Sequence, residues 1–129
     1  MKNLAVFASG NGSNAENICN YFSHSSEINV VFIGTNNEKA LVTDRAKKLN
    51  IPIIYITKKE LNSFIELNKT LQEYGVDYII LAGFLLKIPS EMVLSYSKKI
   101  INIHPSLLPK YGGKGMYGKN IYDAVVKNK

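Results

Sequence analysis

Leu4-Ala5-Val6-Phe7-Ala8-Ser9-Gly10-Asn11-Gly12-Ser13-Asn14 decides the fold of this chain. Leu4 to Ala8 is a short apolar run, the pattern of a strand buried on both faces. Ser9 to Asn14 is a glycine-rich turn, and Ala15 to Phe22 then reads as a helix with Ile18, Cys19 and Phe22 on one side. Strand, turn and helix in that order leave backbone N–H groups exposed at a helix N-terminus. The helix dipole favours negative charge there, so such a terminus is suited to phosphate. Gly10 and Gly12 let the backbone approach an oxyanion closely, while Ser13 and Asn14 add side-chain donors.

The turn has the form G-x-G-x-x-A, which also fits a dinucleotide fingerprint. That fingerprint wants an acidic residue at the tip of the second strand, about 20 residues on. The second strand is read as Ile28 to Ile33, and it runs into Gly34-Thr35-Asn36-Asn37, with Glu38 only afterwards. A P-loop Gly-Lys-Ser/Thr is absent as well. A simple phosphate is favoured over a dinucleotide.

The alternation continues. Lys39 to Leu49 carries Leu41, Val42, Ala46 and Leu49 at helical spacing. Ile51 to Ile56 is a third strand. Thr57 and Glu60 form a capping-box pair opening a helix that reads through Leu61, Phe64, Ile65, Thr70 and Leu71 to Tyr74 and stops at Gly75. Val76 to Ala82 is a fourth strand. Gly83 to Pro89 is an apolar loop, read either as a wall of a pocket or as a segment tucked under the core. A short helix follows with Met92, Val93 and Tyr96 inward. Ile100 onwards is the fifth strand, Tyr111 to Gly118 a glycine-rich loop, and Ile121 to Val126 a final helix. Five strands alternating with helices predict a doubly wound, Rossmann-like α/β fold with a mostly parallel sheet in the order 3-2-1-4-5.

The fifth strand carries the second chemical signal. In Ile100-Ile101-Asn102-Ile103-His104-Pro105 two polar residues interrupt an apolar run at a spacing of two. On a strand both side chains share one face, roughly 7 Å apart. Pro105 cannot join a sheet ladder, so pairing ends there and the pair sits at the carboxyl end of the strand. In open α/β sheets that edge binds ligands.

Bulk properties bound the rest. The chain has 129 residues, 46% hydrophobic and 20% charged, and reads as one domain. Its formal charge of +6 comes from fifteen lysines and one arginine scattered along the sequence. Scattered charge argues against a nucleic-acid surface but favours anionic small molecules. No apolar run reaches the ~18–20 residues that span a bilayer. The start, Met1-Lys2-Asn3-Leu4, has no signal-peptide pattern, and the single cysteine, Cys19, fits a reducing compartment. A soluble cytoplasmic protein with no membrane partner is expected.

Three motifs now stand in order. Ser9-Gly10-Asn11-Gly12-Ser13-Asn14 follows strand one, Leu81-Ala82-Gly83-Phe84 closes strand four, and Asn102-Ile103-His104-Pro105-Ser106-Leu107-Leu108-Pro109 closes strand five. Together they resemble the folate-dependent formyltransferases. The last motif is shared across that family, including the methionyl-tRNA enzymes. The first narrows the resemblance to the phosphoribosylglycinamide formyltransferases, and it runs the length of the chain, so that 1–129 is expected to be a single N-terminal α/β domain of that family.

The resemblance implies formyl transfer from 10-formyltetrahydrofolate, as co-substrate, to the amine of 5-phosphoribosylglycinamide in purine biosynthesis, with no metal. It implies that Gly12, Ser13 and Asn14 bind the ribose phosphate. It assigns Leu85, Leu86, Lys87, Ile88 and Asn102 to the folate and makes Asn102 and His104 the catalytic pair. The chemistry suits them: an Asn side-chain N–H can stabilise the oxyanion of amine attack, and an imidazole moves protons near neutrality. A hydrolytic deformylase, a methionyl-tRNA formyltransferase and a phosphate-binding module without catalysis remain the alternatives. Leu86 stands where some members carry a basic residue. Members are also longer, with a further strand and an aspartate-bearing loop that orients the histidine. Asp123, inside the final helix, does not match that aspartate. The chain by itself is expected to be weakly active or inactive.

Overall fold

In β1, Lys2–Phe7, successive side chains leave opposite faces of the strand, and both faces are buried. Leu4 and Val6 enter one apolar cluster, Ala5 and Phe7 another. A strand with two dry faces belongs in the middle of a sheet covered by helices on both sides, and that is where it lies. The computed structural model describes residues 1–103 and 121–125. Its element order is β1, α1 (Ser13–Tyr21), β2 (Ile28–Thr35), α2 (Leu41–Lys48), β3 (Ile53–Tyr55), α3 (Lys58–Ser63), α4 (Ile65–Glu73), β4 (Tyr78–Ala82), α5 (Ser90–Ser95) and β5 (Ile100–Ile103). Residues 121–125 are helical.

The five strands form one sheet in the order β3-β2-β1-β4-β5, as the sequence predicts, and every pairing is parallel. All five carboxyl ends therefore lie along one edge. The strand order reverses between β1 and β4, which makes their junction the switch point where such sheets bind ligands. Registers align one row across the whole sheet: Ile54, Gly34, Phe7, Leu81 and Asn102 are successive partners.

One face of the sheet packs α1, α2 and the 121–125 segment through Ile18, Cys19, Val42, Ala46, Ile121 and Val125. Tyr78 donates its hydroxyl to the Val125 carbonyl at 3.2 Å, and Tyr122 donates to the Glu27 carboxylate at 3.0 Å, fixing that last segment to β4 and to the entry of β2. The other face packs α3, α4 and α5 through Leu61, Phe64, Leu67, Leu71, Met92 and Tyr96.

Several sequence expectations change in detail. The helix read from Thr57 to Tyr74 is two helices, because Phe64 adopts a left-handed conformation at φ 56° between α3 and α4. Ile65 becomes the first residue of α4 and is 76% exposed, while Leu67 takes the buried place. Leu41, at the first turn of α2, and Val93 on α5 are also exposed: Met92 and Tyr96, four apart, already supply α5's buried stripe. The Thr57 cap is present: its hydroxyl accepts the Glu60 N–H at 3.1 Å and donates to the Glu60 carboxylate at 3.0 Å. Gly75, at φ 62°, follows α4. The sequence expectations for 104–120 and for Val126 lie outside the described residues.

Candidate active site

The switch point is assembled by Ser9, two residues past the end of β1 at Phe7. Its N–H donates to the Gly83 carbonyl at 3.2 Å. Its hydroxyl accepts the Leu85 N–H at 2.7 Å and donates to Asn36 Oδ1 at 2.5 Å. One buried side chain thus joins the loops that leave β1, β2 and β4. Such a tie fixes the relative height of three loops, and hence the shape of the crevice between them.

Beyond Ser9 the chain turns into α1. Gly12 has φ 81°, a region that costs other residues about 1–2 kcal/mol. A Cβ there would also stand 2.5 Å from Val42 Cγ2. Only glycine fits, on conformational and steric grounds alike. The Glu16 N–H donates to the Gly12 carbonyl at 2.8 Å, which starts the helix. No side chain caps it. The N–H groups of Ser13, Asn14 and Ala15 precede the first intrahelical bond and are oriented out of the helix start, towards the edge. Ser13 is exposed and Asn14 half-buried. The arrangement can hold an anion.

Sequence reasoning missed what holds this turn. Arg45 on α2 donates from Nε to the Asn11 carbonyl at 2.7 Å and from Nη2 to Asn11 Oδ1 at 2.6 Å. Its Nη1 reaches Glu16 Oε2 at 2.8 Å. The Val42 N–H adds a bond to the Gly10 carbonyl at 3.2 Å. The Arg45 contacts cross 29 residues of sequence to Glu16 and 34 to Asn11, and no local pattern announces them.

Asn102 lies in the same register row as Phe7, two strands away, so their Cα atoms are about 10 Å apart. It is exposed, and it projects to the face of Ile100, Leu81 and Phe7, because its neighbours Ile101 and Ile103 pack on the opposite one. The loop after β4 lies on that same face. Phe84, Leu86 and Ile88 are half-buried against the core, whereas Lys87 is exposed and Leu85 is 82% exposed. The reading of this loop as tucked under the core therefore holds for alternate residues, Phe84, Leu86 and Ile88, while Leu85 and Lys87 stand exposed at the edge. The structure brings the glycine turn, Asn102 and Leu85–Ile88 to one sheet edge. His104 lies outside the described residues.

Other reactive groups are elsewhere. Burial, reinforced by Glu16, pushes the Cys19 thiol up to about 12, so it stays protonated and inert at neutral pH. Among the described residues no three His, Cys, Asp or Glu side chains gather to hold a metal. A cavity of about 260 Å³, lined by Asn20, Ser23, Asn29 and Asn50 among others, opens near the start of β2, at the opposite edge of the sheet.

A doubly wound parallel sheet with an uncapped glycine turn at its switch point and a carboxamide on the fifth strand defines an α/β protein equipped for a small anionic ligand. The chain belongs to the formyl transferase family, whose model matches residues 2–127. It is 41% identical over 133 residues to the chloroplastic phosphoribosylglycinamide formyltransferase of Arabidopsis thaliana, covering 98% of this chain and 46% of that protein. The phosphoribosylglycinamide formyltransferase of Haemophilus influenzae is 34% identical over 127 residues, covering 94% and 59%. Among solved structures, glycinamide ribonucleotide transformylase 1 from Geobacillus kaustophilus matches with a TM-score of 0.75 at 33% identity, covering 95% of this chain and 68% of that one. The chain thus spans about half the length of the curated relatives it matches.

Proposed function

We propose that this chain acts in the transfer of a formyl group from 10-formyltetrahydrofolate to the amine of 5-phosphoribosylglycinamide, as a single α/β domain over 1–129 in the cytoplasm. The observation that carries the reading is the shared edge: β1, which runs into the Gly12 turn, and β5, which carries Asn102, stand two strands apart, about 10 Å at the Phe7–Asn102 row, and one ribonucleotide laid along that edge would meet both. The names of the relatives support the choice of acceptor. The buried, single cysteine fits a reducing compartment.

In this reading the N–H groups of Gly12, Ser13 and Asn14 hold the ribose phosphate. The exposed Leu85 and Lys87, with the half-buried Leu86 and Ile88, line the folate side of the crevice. Attack by an amine on a formyl carbon builds negative charge on the formyl oxygen. The Asn102 carboxamide supplies an N–H donor to that charge. His104, two residues on, takes the proton from the attacking amine and returns it to the departing nitrogen.

An assay that compares acceptors tests this even at a low rate. Formyl product should form with 5-phosphoribosylglycinamide and not with methionyl-tRNA. Formate released equally with and without the ribonucleotide would contradict the reading and favour a deformylase. Ribonucleotide binding without any product would favour a phosphate-binding module. Asn102→Ala should lower turnover by about 10²-fold or more while changing ribonucleotide affinity little, since an oxyanion donor acts in the transition state. An unchanged turnover would remove Asn102 from the chemistry.

A further inference from the structure

We infer that Arg45 is a positioning residue for the anion turn, fixing the backbone that receives the phosphate without touching the phosphate itself. This rests on the functional reading above, because it gives the Gly12 turn its ligand. The guanidinium straddles the turn. Two of its nitrogens grip Asn11, immediately before Gly12, at 2.7 and 2.6 Å, and the third takes Glu16, four residues after it, at 2.8 Å. Three charge-assisted bonds from one planar group leave the turn little freedom. The Arg45 and Glu16 side chains are 28% and 20% exposed, so the pair is partly shielded from solvent.

The contact also resolves an electrostatic conflict. Glu16 is the acidic residue in the first turn of α1, where it complements the helix dipole. The same carboxylate would repel an anion bound at that terminus. Pairing with Arg45 neutralises it while keeping it in place. Arg45 therefore both sets the turn and cancels the one negative charge of α1's first turn. Lysine can do only the second of these, since its ammonium is a point charge without the planar fork.

The test compares 5-phosphoribosylglycinamide with its phosphate-free riboside, titrated against the full chain and against Arg45→Lys. Positioning predicts that Arg45→Lys weakens the ribonucleotide about tenfold or more, by loss of the bidentate hold on Asn11. The ratio of ribonucleotide to riboside affinity should fall by the same factor, a change that general destabilisation does not produce. Equal ribonucleotide binding by wild type and Arg45→Lys would overturn the inference and leave the functional reading standing. If the wild-type chain binds no ribonucleotide, the functional reading falls first and takes this one with it. Should Arg45→Lys fail to fold, Asn11→Ala removes one gripped oxygen and should still weaken the ribonucleotide severalfold; wild-type affinity in that variant would overturn the inference.

Discussion

Gly12 carries two constraints at once, and they add. Its φ of 81° strains any L side chain, and its Cβ position lies 2.5 Å from Val42 Cγ2 and 2.8 Å from Val42 Cα. The second contact is with backbone, which cannot rotate away. Forcing a methyl into such a packed place costs about 1–3 kcal/mol, with about 1–2 kcal/mol more for the conformation. Gly12→Ala should therefore lose about 2–5 kcal/mol in urea unfolding and lose ribonucleotide binding in calorimetry. A variant as stable as wild type that still binds would mean that the turn is neither tight nor used. The glycine itself was legible in the sequence, as part of a strand–turn–helix signal. Its dependence on Val42 was not, because that contact belongs to α2 and forms only when the helices pack. Asn102 was legible for the opposite reason: a polar residue between Ile101 and Ile103 interrupts an apolar strand and asks for an explanation.

Among the helices and strands, the strands were legible as apolar runs and the parallel order followed from their alternation with helices. The break at Phe64 was not. Gly and Asn announce left-handed turns, whereas phenylalanine at φ 56° gives no sign in the sequence. The compensation is visible in the structure: Phe64 is only 5% exposed and packs among Leu61, Leu67 and Leu71. Relief of the strain by Phe64→Gly would gain about 1–2 kcal/mol, but removal of a buried phenylalanine costs about 3–5 kcal/mol. Lost packing outweighs relieved strain, so Phe64→Gly should destabilise by about 1–4 kcal/mol, read from the urea midpoint. A stabilised variant would show that the break is a strain the fold tolerates without return. The ring therefore anchors the α3–α4 junction on the face that also carries Asn102.

Over the whole molecule, alignment makes the site. Parallel strands send every connection towards the same edge, and a register row from Ile54 through Phe7 to Asn102 sets the heights of the loops on it. Ser9 then locks the loops of β1, β2 and β4 together, and Arg45 locks the turn onto α2. Among the described residues no helix is long and apolar enough to cross a membrane. The proposed function requires one ribonucleotide to span the glycine turn and the fifth strand. Backbone amide NMR of the full chain, titrated with 5-phosphoribosylglycinamide, reads this directly. Gly12, Ser13, Asn14 and Asn102 should shift together along one saturable curve. Shifts confined to Asn29 and Asn50 at the far edge, or movement of the turn with Asn102 silent, would contradict it.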